Sequence, residues 1–208
     1  MVKAADDSRG YHHGNLRDAL IEAGVELARS GGPNAVLLRA VSRQAGVSHN
    51  AAYRHFADQE DLLAAVAQRC MTQLSLLMLE RMDQVRTRSA ARRARSRLEA
   101  IGRAYIDFAL TEPGWFRTAF TSARAQSETG GTPEAAPSPY DVLGAALDDL
   151  VLAGGLTPRR RAGAQYTAWS AVHGLSSLLL DGPLRELTGP DVARAVDAVL
   201  AGVNHSLA

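Results

Sequence analysis

Apolar residues recur at helical spacing along most of the chain. From Asn15 onward, Leu16, Leu20, Gly24, Leu27 and Ala28 fall on one face. Ser30-Gly31-Gly32-Pro33 ends that run, because glycine and proline both disfavour a continuing helix. Leu38, Val41 and Ala45 mark a short second helix, and Gly46 marks a turn. Ser48 caps a short third helix, with Val47, Ala52 and Phe56 turned inward. Asp58 caps a fourth, with Glu60 and Asp61 in its first turn, where negative charge meets the positive end of the helix dipole. Leu63, Val66, Cys70, Leu74, Leu77 and Met78 share its apolar side, and it extends to about Val85.

Residues 87–97, TRSAARRARSR, form a basic bridge in which a fifth helix starts; Leu98, Ile101, Tyr105 and Phe108 lie along it. Pro113-Gly114 interrupts, and WFRTAF predicts another short helix. Residues 125–139, rich in glycine, proline and small polar residues, read as a loop. Tyr140 to Leu152 is helical and stops at Gly154-Gly155. Thr157 caps a long helix with Pro158 in its first turn, running through Trp169 and His173 to Leu180. After Asp181-Gly182-Pro183 a last helix carries Val192, Val196, Val199 and Val203. No stretch alternates polar and apolar residues as a strand does, and no segment repeats. The expectation is an all-α chain: a three-helix helix-turn-helix domain in 1–57 behind a flexible N-terminal arm, then a larger all-helical domain in 58–208.

Composition narrows the function. The chain has 208 residues, 46% of them apolar and 5% aromatic, enough for a buried core. No apolar run approaches the length of a bilayer crossing, so no membrane partner is expected. MVKAADDSRG lacks the apolar core of a secretion signal, and Cys70 is the single cysteine, which points to the cytoplasm. The net charge of +1 excludes a chain-wide polyelectrolyte, so any nucleic-acid contact is local. Lys3 is the only lysine; the preference for arginine fits the coding of a GC-rich genome. No HExxH, phosphate loop or GxSxG occurs, and His173 has no nucleophile or carboxylate at nearby spacing. Cys70 sits on an apolar helix face, where a thiol is inert. Neither an enzyme, a cofactor nor a metal centre is expected.

AGVSHNAAYRHFADQEDLL, residues 45–63, concentrates polar groups between two helical signals. With Val47, Ala52 and Phe56 inward, the other side presents His49, Asn50, Tyr53, Arg54 and His55, with Ser48 at its head. Such a helix fits the major groove, where base edges are distinguishable. Asn50 can read adenine bidentately, and Arg54 can bridge a phosphate or read guanine. Tyr53 and His55 suit phosphates, which set register rather than sequence.

This stretch resembles the TetR family of bacterial transcriptional regulators. The likeness rests on LRAVSRQAGVSHNAAYRHFADQEDLLAAV, residues 38–66, and on the preceding helix with its Gly31-Gly32 end; it covers 11–70. It implies a homodimer whose paired recognition helices enter successive major grooves of a double-stranded DNA operator. Many relatives carry serine or threonine where Leu37 stands, as a cap or phosphate contact; its absence leaves Arg39 as the expected phosphate partner. Many carry lysine where Gln59 stands, and Gln59 is expected to donate to a phosphate without charge. That predicts a shallower salt dependence of binding. YHHGNLR, residues 11–17, resembles the lead-in of a family subset, which places Tyr11, His12 and His13 at the DNA backbone.

WSAVHGL, residues 169–175, resembles the tryptophan-x-x-x-histidine-glycine signature of one C-terminal domain type in such regulators, and AYIDFALTEPGWFRTAF, residues 104–120, fits the same type. Trp169 and His173 lie four apart, on one side of a helix, and Gly174 lets another helix or a ligand approach. His173 is therefore a candidate polar handle in an apolar pocket for an unidentified small-molecule effector, or else a hydrogen-bonded core histidine. The expected walls are Leu74, Met78, Tyr105, Phe108, Trp115, Phe116 and Trp169.

The last two long helices carry three apolar stripes: Ala168, Ala171, Leu175 and Leu178; Trp169, Val172, Ser176 and Leu180; Val192, Val196, Val199 and Val203. One stripe more than a monomer core needs would leave a surface for a twin, giving a homodimer through a four-helix interface. Arg92, Arg93, Arg95 and Arg97 are spread around a helix and read as a solvated bridge rather than a DNA contact. The combined expectation is a ligand-responsive regulator, a repressor released from a pseudo-palindromic operator by an apolar or amphipathic effector. The competing expectation is a ligand-independent DNA-binding or architectural protein with the same DNA contacts and a closed core.

Overall fold

A computed structural model describes residues 15–121 and 136–207. Helices α1 (Asn15–Gly31), α2 (Leu38–Gln44), α3 (His49–Ala52) and α4 (Gln59–Asp83) are followed by α5 (Ala90–Thr111), α6 (Pro113–Ala119), α7 (Pro139–Leu152), α8 (Arg161–Leu180) and α9 (Gly189–Leu207). Short 3-10 turns lie at Pro33–Ala35 and Pro158–Arg160. The described residues contain no strand.

The helix starts follow local chemistry. The Ser48 hydroxyl accepts the Ala51 N–H, and Asp58 accepts that of Asp61. Ser89 caps α5 inside the basic bridge, and Ser138 and Asp141 form a reciprocal capping box at α7. Thr157 departs from expectation: its side chain makes no cap, and a 3-10 turn intervenes before α8 starts at Arg161. At the start of α4 the fully buried leucine is Leu62, while Leu63 is half-buried.

Two apolar cores form. Leu20, Val25, Val36, Val41, Ala52 and Phe56, from the first three helices and the turns beside them, close on Leu62, Val66 and Cys70 of α4. Leu74 and Met78 of the same helix enter a second core built by α5 to α9. At 25 residues α4 is about 37 Å long, at about 1.5 Å per residue. By length and composition it is apolar enough to cross a membrane, contrary to the expectation for this chain, but its apolar residues serve both cores. The basic bridge lies at the end of α4 remote from α2 and α3. There Arg95 donates to the Asn204 carbonyl and Arg97 pairs with Asp149.

The apolar stripes of the last two helices are largely spent inside the chain. Ala168, Val172, Leu175 and Ser176 of α8 and Val196 and Val203 of α9 are all buried. Gly174 is approached by nothing: a Cβ placed there would meet no atom within 4 Å.

Candidate nucleic-acid interface and ligand cleft

The turn between α2 and α3 is made by Gly46 at φ 69°, a left-handed conformation that a side chain would strain. The Val47 N–H then returns to the Ser42 carbonyl at 2.9 Å. Ala52 and Phe56 are buried as expected, and Val47 is half-buried. Asn50, Arg54 and Tyr53 stand outward, Tyr53 with half its surface exposed. His49 and His55 are half-buried; the His49 ring meets Tyr53 edge-on at 4.7 Å, and its Nδ1 is buried without a partner. Helix α3 is only one turn long, so Tyr53, Arg54 and His55 sit on the turn that continues it.

Arg39 is exposed on α2, and so is Arg43, which no motif had singled out. Arg39, Arg43 and Arg54 have no carboxylate partner among the described residues. By contrast Arg29, Arg69, Arg103, Arg117 and Arg161 are paired with Glu112, Glu22, Asp197, Asp181 and Asp148. Exposed guanidinium groups without a carboxylate partner are available to a phosphate backbone.

Gln59 has two internal partners that the sequence does not predict. Its Oε1 accepts the Leu38 N–H at 3.0 Å, and its Nε2 donates to the Val36 carbonyl. Leu37 offers α2 no side-chain cap, so Gln59 supplies that cap from the start of α4. It braces the start of α4 against the start of α2. Tyr11, His12 and His13 lie outside the described residues.

The expected pocket divides. A cleft of about 460 Å³ is lined by Trp169, His173, Phe120, Tyr140, Ser138, Pro139, Asp141 and Met71. Beneath it, Tyr105, Trp169, Met78 and Val172 help enclose an apolar void of only about 30 Å³. Leu74 is fully buried and lines neither space, and Phe116 backs the cleft, its ring 5.6 Å from His173. Phe108 and Trp115 stack on each other at 6.3 Å, away from both spaces. The sequence had not pointed to Tyr140, Ser138 or Asp141. Only the fold brings the start of α7 against Trp169, with Tyr140 at 5.5 Å from that indole.

His173 is hydrogen-bonded inside the fold and also lines the cleft. Its Nδ1 lies 2.8 Å from the Tyr105 hydroxyl, and its ring contacts Phe120 at 4.8 Å on the cleft wall. Burial pushes its pKa down and drives that of Tyr105 far up, so both are neutral near pH 7.

Helix α6 joins the cleft to α1. Phe120, which ends α6, lines the cleft, and Phe116 packs against it at 4.9 Å. On its other side Trp115 Nε1 donates to the Val25 carbonyl at 2.8 Å, under the Arg29 guanidinium at 5.0 Å. Arg29 grips Glu112 through two hydrogen bonds of 2.8 and 2.5 Å. Gly114 lies so close to α1 that a Cβ would collide with the Ala28 and Arg29 carbonyl oxygens.

Comparison with known proteins agrees with this architecture. The family model for the tetracyclin repressor-like C-terminal domain matches residues 98–203, and that for the bacterial regulatory proteins of the tetR family matches residues 20–66. YobS, an HTH-type transcriptional regulator of Bacillus subtilis strain 168, is 28% identical over 106 residues. That match covers 51% of this chain and 52% of YobS, so the chain spans about half the length of the curated relative it matches. A protein with unknown function from Rhodococcus sp. RHA1 is 26% identical, with TM-score 0.66 over 96% of this chain and 99% of that one. The transcriptional regulator FadR of Bacillus subtilis, solved in complex with stearoyl-CoA, shares the fold at 15% identity, with TM-score 0.65 over 92% and 99% of the two chains.

Proposed function

Because the chain belongs to the TetR family of bacterial transcriptional regulators, we propose that it is a cytoplasmic repressor that binds a pseudo-palindromic operator as a homodimer and releases it when a small apolar or amphipathic effector enters the Trp169–His173 cleft. Ser48, His49, Asn50, Tyr53, Arg54 and His55 face the major groove in this reading, with Arg39 and Arg43 on the flanking phosphates. Gln59 is left out of that set. The domains divide at the start of α4, near residue 58, although α4 serves both cores.

The observation that carries the proposal is the double engagement of α6. Phe120, which ends α6, lines the effector cleft with Phe116 packed behind it, while Trp115 and Gly114 lock onto α1, the first helix of the DNA-binding unit. A ligand that displaces Phe120 therefore moves α1 as well. Half-sites on B-DNA lie about 34–36 Å apart, and a dimer shifted by a few ångströms loses one of them. A full switch needs a preference of about 5 kcal/mol for one state.

The outer face of α8 and α9 supports the homodimer. Gly163 and Gly174 of α8 and Gly202 of α9 leave the helix backbones open, beside the exposed Tyr166 and Leu178. Close helix approach rather than an apolar stripe would then join the twins. Ala201→Arg is expected to give monomers by light scattering with the helical content intact.

The test of function is selection of genomic fragments by the purified protein, followed by gel shift with and without candidate effectors. Saturable, sequence-dependent binding that a small molecule relieves is expected. Absence of such binding refutes the proposal. The small inner void favours the second reading, a ligand-independent DNA-binding protein, and the outer cleft opposes it. Operator binding indifferent to every cleft ligand would decide for that second reading.

A further inference from the structure

The Tyr105–His173 pair dictates which hydrogen-bonding group the cleft offers. Tyr105 is 1% exposed, and His173 Nδ1 is the only hydrogen-bond partner of its hydroxyl among the described residues. If Nδ1 carried the hydrogen, the phenolic hydrogen would be buried without an acceptor, which is costly. The hydroxyl therefore donates to Nδ1. A neutral imidazole has one donor and one acceptor nitrogen, so the ring hydrogen sits on Nε2. Burial disfavours the imidazolium and keeps the ring in this state. Nε2 meets no partner among the described residues and is not sealed in, on a residue that lines the cleft.

The remaining lining selects against charge. Among the described residues Asp141 is the one carboxylate on the lining, and no basic side chain joins it. An anionic ligand is repelled. A cation would suit Asp141 but offers the Nε2–H nothing to bond. Trp169, Phe120 and Tyr140 supply an aromatic wall for an apolar body.

We infer that the cleft selects an uncharged ligand carrying a carbonyl-type acceptor, which the His173 Nε2–H recognises while an apolar body lies against Trp169, Phe120 and Tyr140. Tyr105 is the positioning residue that keeps the donor on that side of the ring. This rests on reading the cleft as the effector site.

The first test needs no ligand. In ¹⁵N spectra of histidine-labelled protein at pH 7, one ring should show the neutral Nε2–H tautomer. Its signal should vanish in His173→Gln and shift toward a tautomer mixture in Tyr105→Phe. An Nδ1–H tautomer or an imidazolium at that position overturns the inference. The second test is equilibrium dialysis with benzophenone, diphenylmethane and 4-benzoylbenzoate, which share one body and differ in carbonyl and charge. Benzophenone should bind about tenfold tighter than diphenylmethane, the worth of one good neutral hydrogen bond, and tighter than 4-benzoylbenzoate, whose added carboxylate meets Asp141. The preference over diphenylmethane should disappear in His173→Phe and survive in His173→Gln, whose amide keeps a donor near the Nε2 position. If diphenylmethane binds as well as benzophenone, the cleft stands as a ligand site and the selection rule falls. If none of the three binds, both fall.

Discussion

Gln59→Ala removes two hydrogen bonds without changing a charge. The Leu38 N–H loses its acceptor at the start of α2, and the Val36 carbonyl loses its donor. Leu37 contributes no cap of its own, so the first loss equals removal of a helix N-cap, about 1 kcal/mol. The second is worth about another 1 kcal/mol if nothing replaces it. Gln59 is half-buried, so water takes over part of both roles, and the net expectation is about 1–2 kcal/mol. For a chain of this length that lowers the melting temperature by about 2–6 °C. Urea unfolding should show an earlier midpoint at unchanged slope, because the surface exposed on unfolding is the same. Operator binding should weaken only as far as α2 loosens. Wild-type stability together with a clear loss of operator affinity would refute the reasoning and return Gln59 to the phosphate backbone.

Gly114→Ala drives a methyl group into two α1 carbonyls, and a stability loss of about 3 kcal/mol, read as an earlier urea midpoint, is expected; a wild-type midpoint would mean that α6 does not sit against α1 as described. The Cys70 thiol is fully buried and pushed up to about 12, so native protein should not react with a thiol reagent at pH 8, whereas denatured protein should yield one thiol per chain. His173 has its pKa lowered on folding, so below the ordinary value of 6.5 the unfolded chain binds more protons and stability falls as the pH drops, until the folded ring itself protonates. Urea midpoints at pH 7.5 and 5 should therefore fall further on acidification in wild type than in His173→Gln, and equal falls would remove His173 from the acid response.

Much of the local architecture was legible in the sequence. Ser48, Asp58 and the glycine at 46 each act within three or four residues of themselves, through a hydroxyl, a carboxylate or a left-handed backbone. The helix-turn-helix and its outward polar set followed from those signals together with the inward Ala52 and Phe56. The cleft was half legible. Trp169, His173 and Tyr105 do meet, but Trp115 was misassigned because an aromatic residue at helical spacing says nothing about which neighbour it faces.

Alone, the sequence determined that the chain is helical, where most helices begin and end, and which short helix presents polar groups outward, because caps, turns and apolar periodicity are local. Tertiary structure decided how Gln59, Trp115 and Tyr105 are used. Their partners lie 23, 90 and 68 residues away, at Val36, Val25 and His173. A side-chain amide, an indole N–H and a phenol can each bond any acceptor within reach, and only the packing of α1, α4, α5, α6 and α8 brings one of them there.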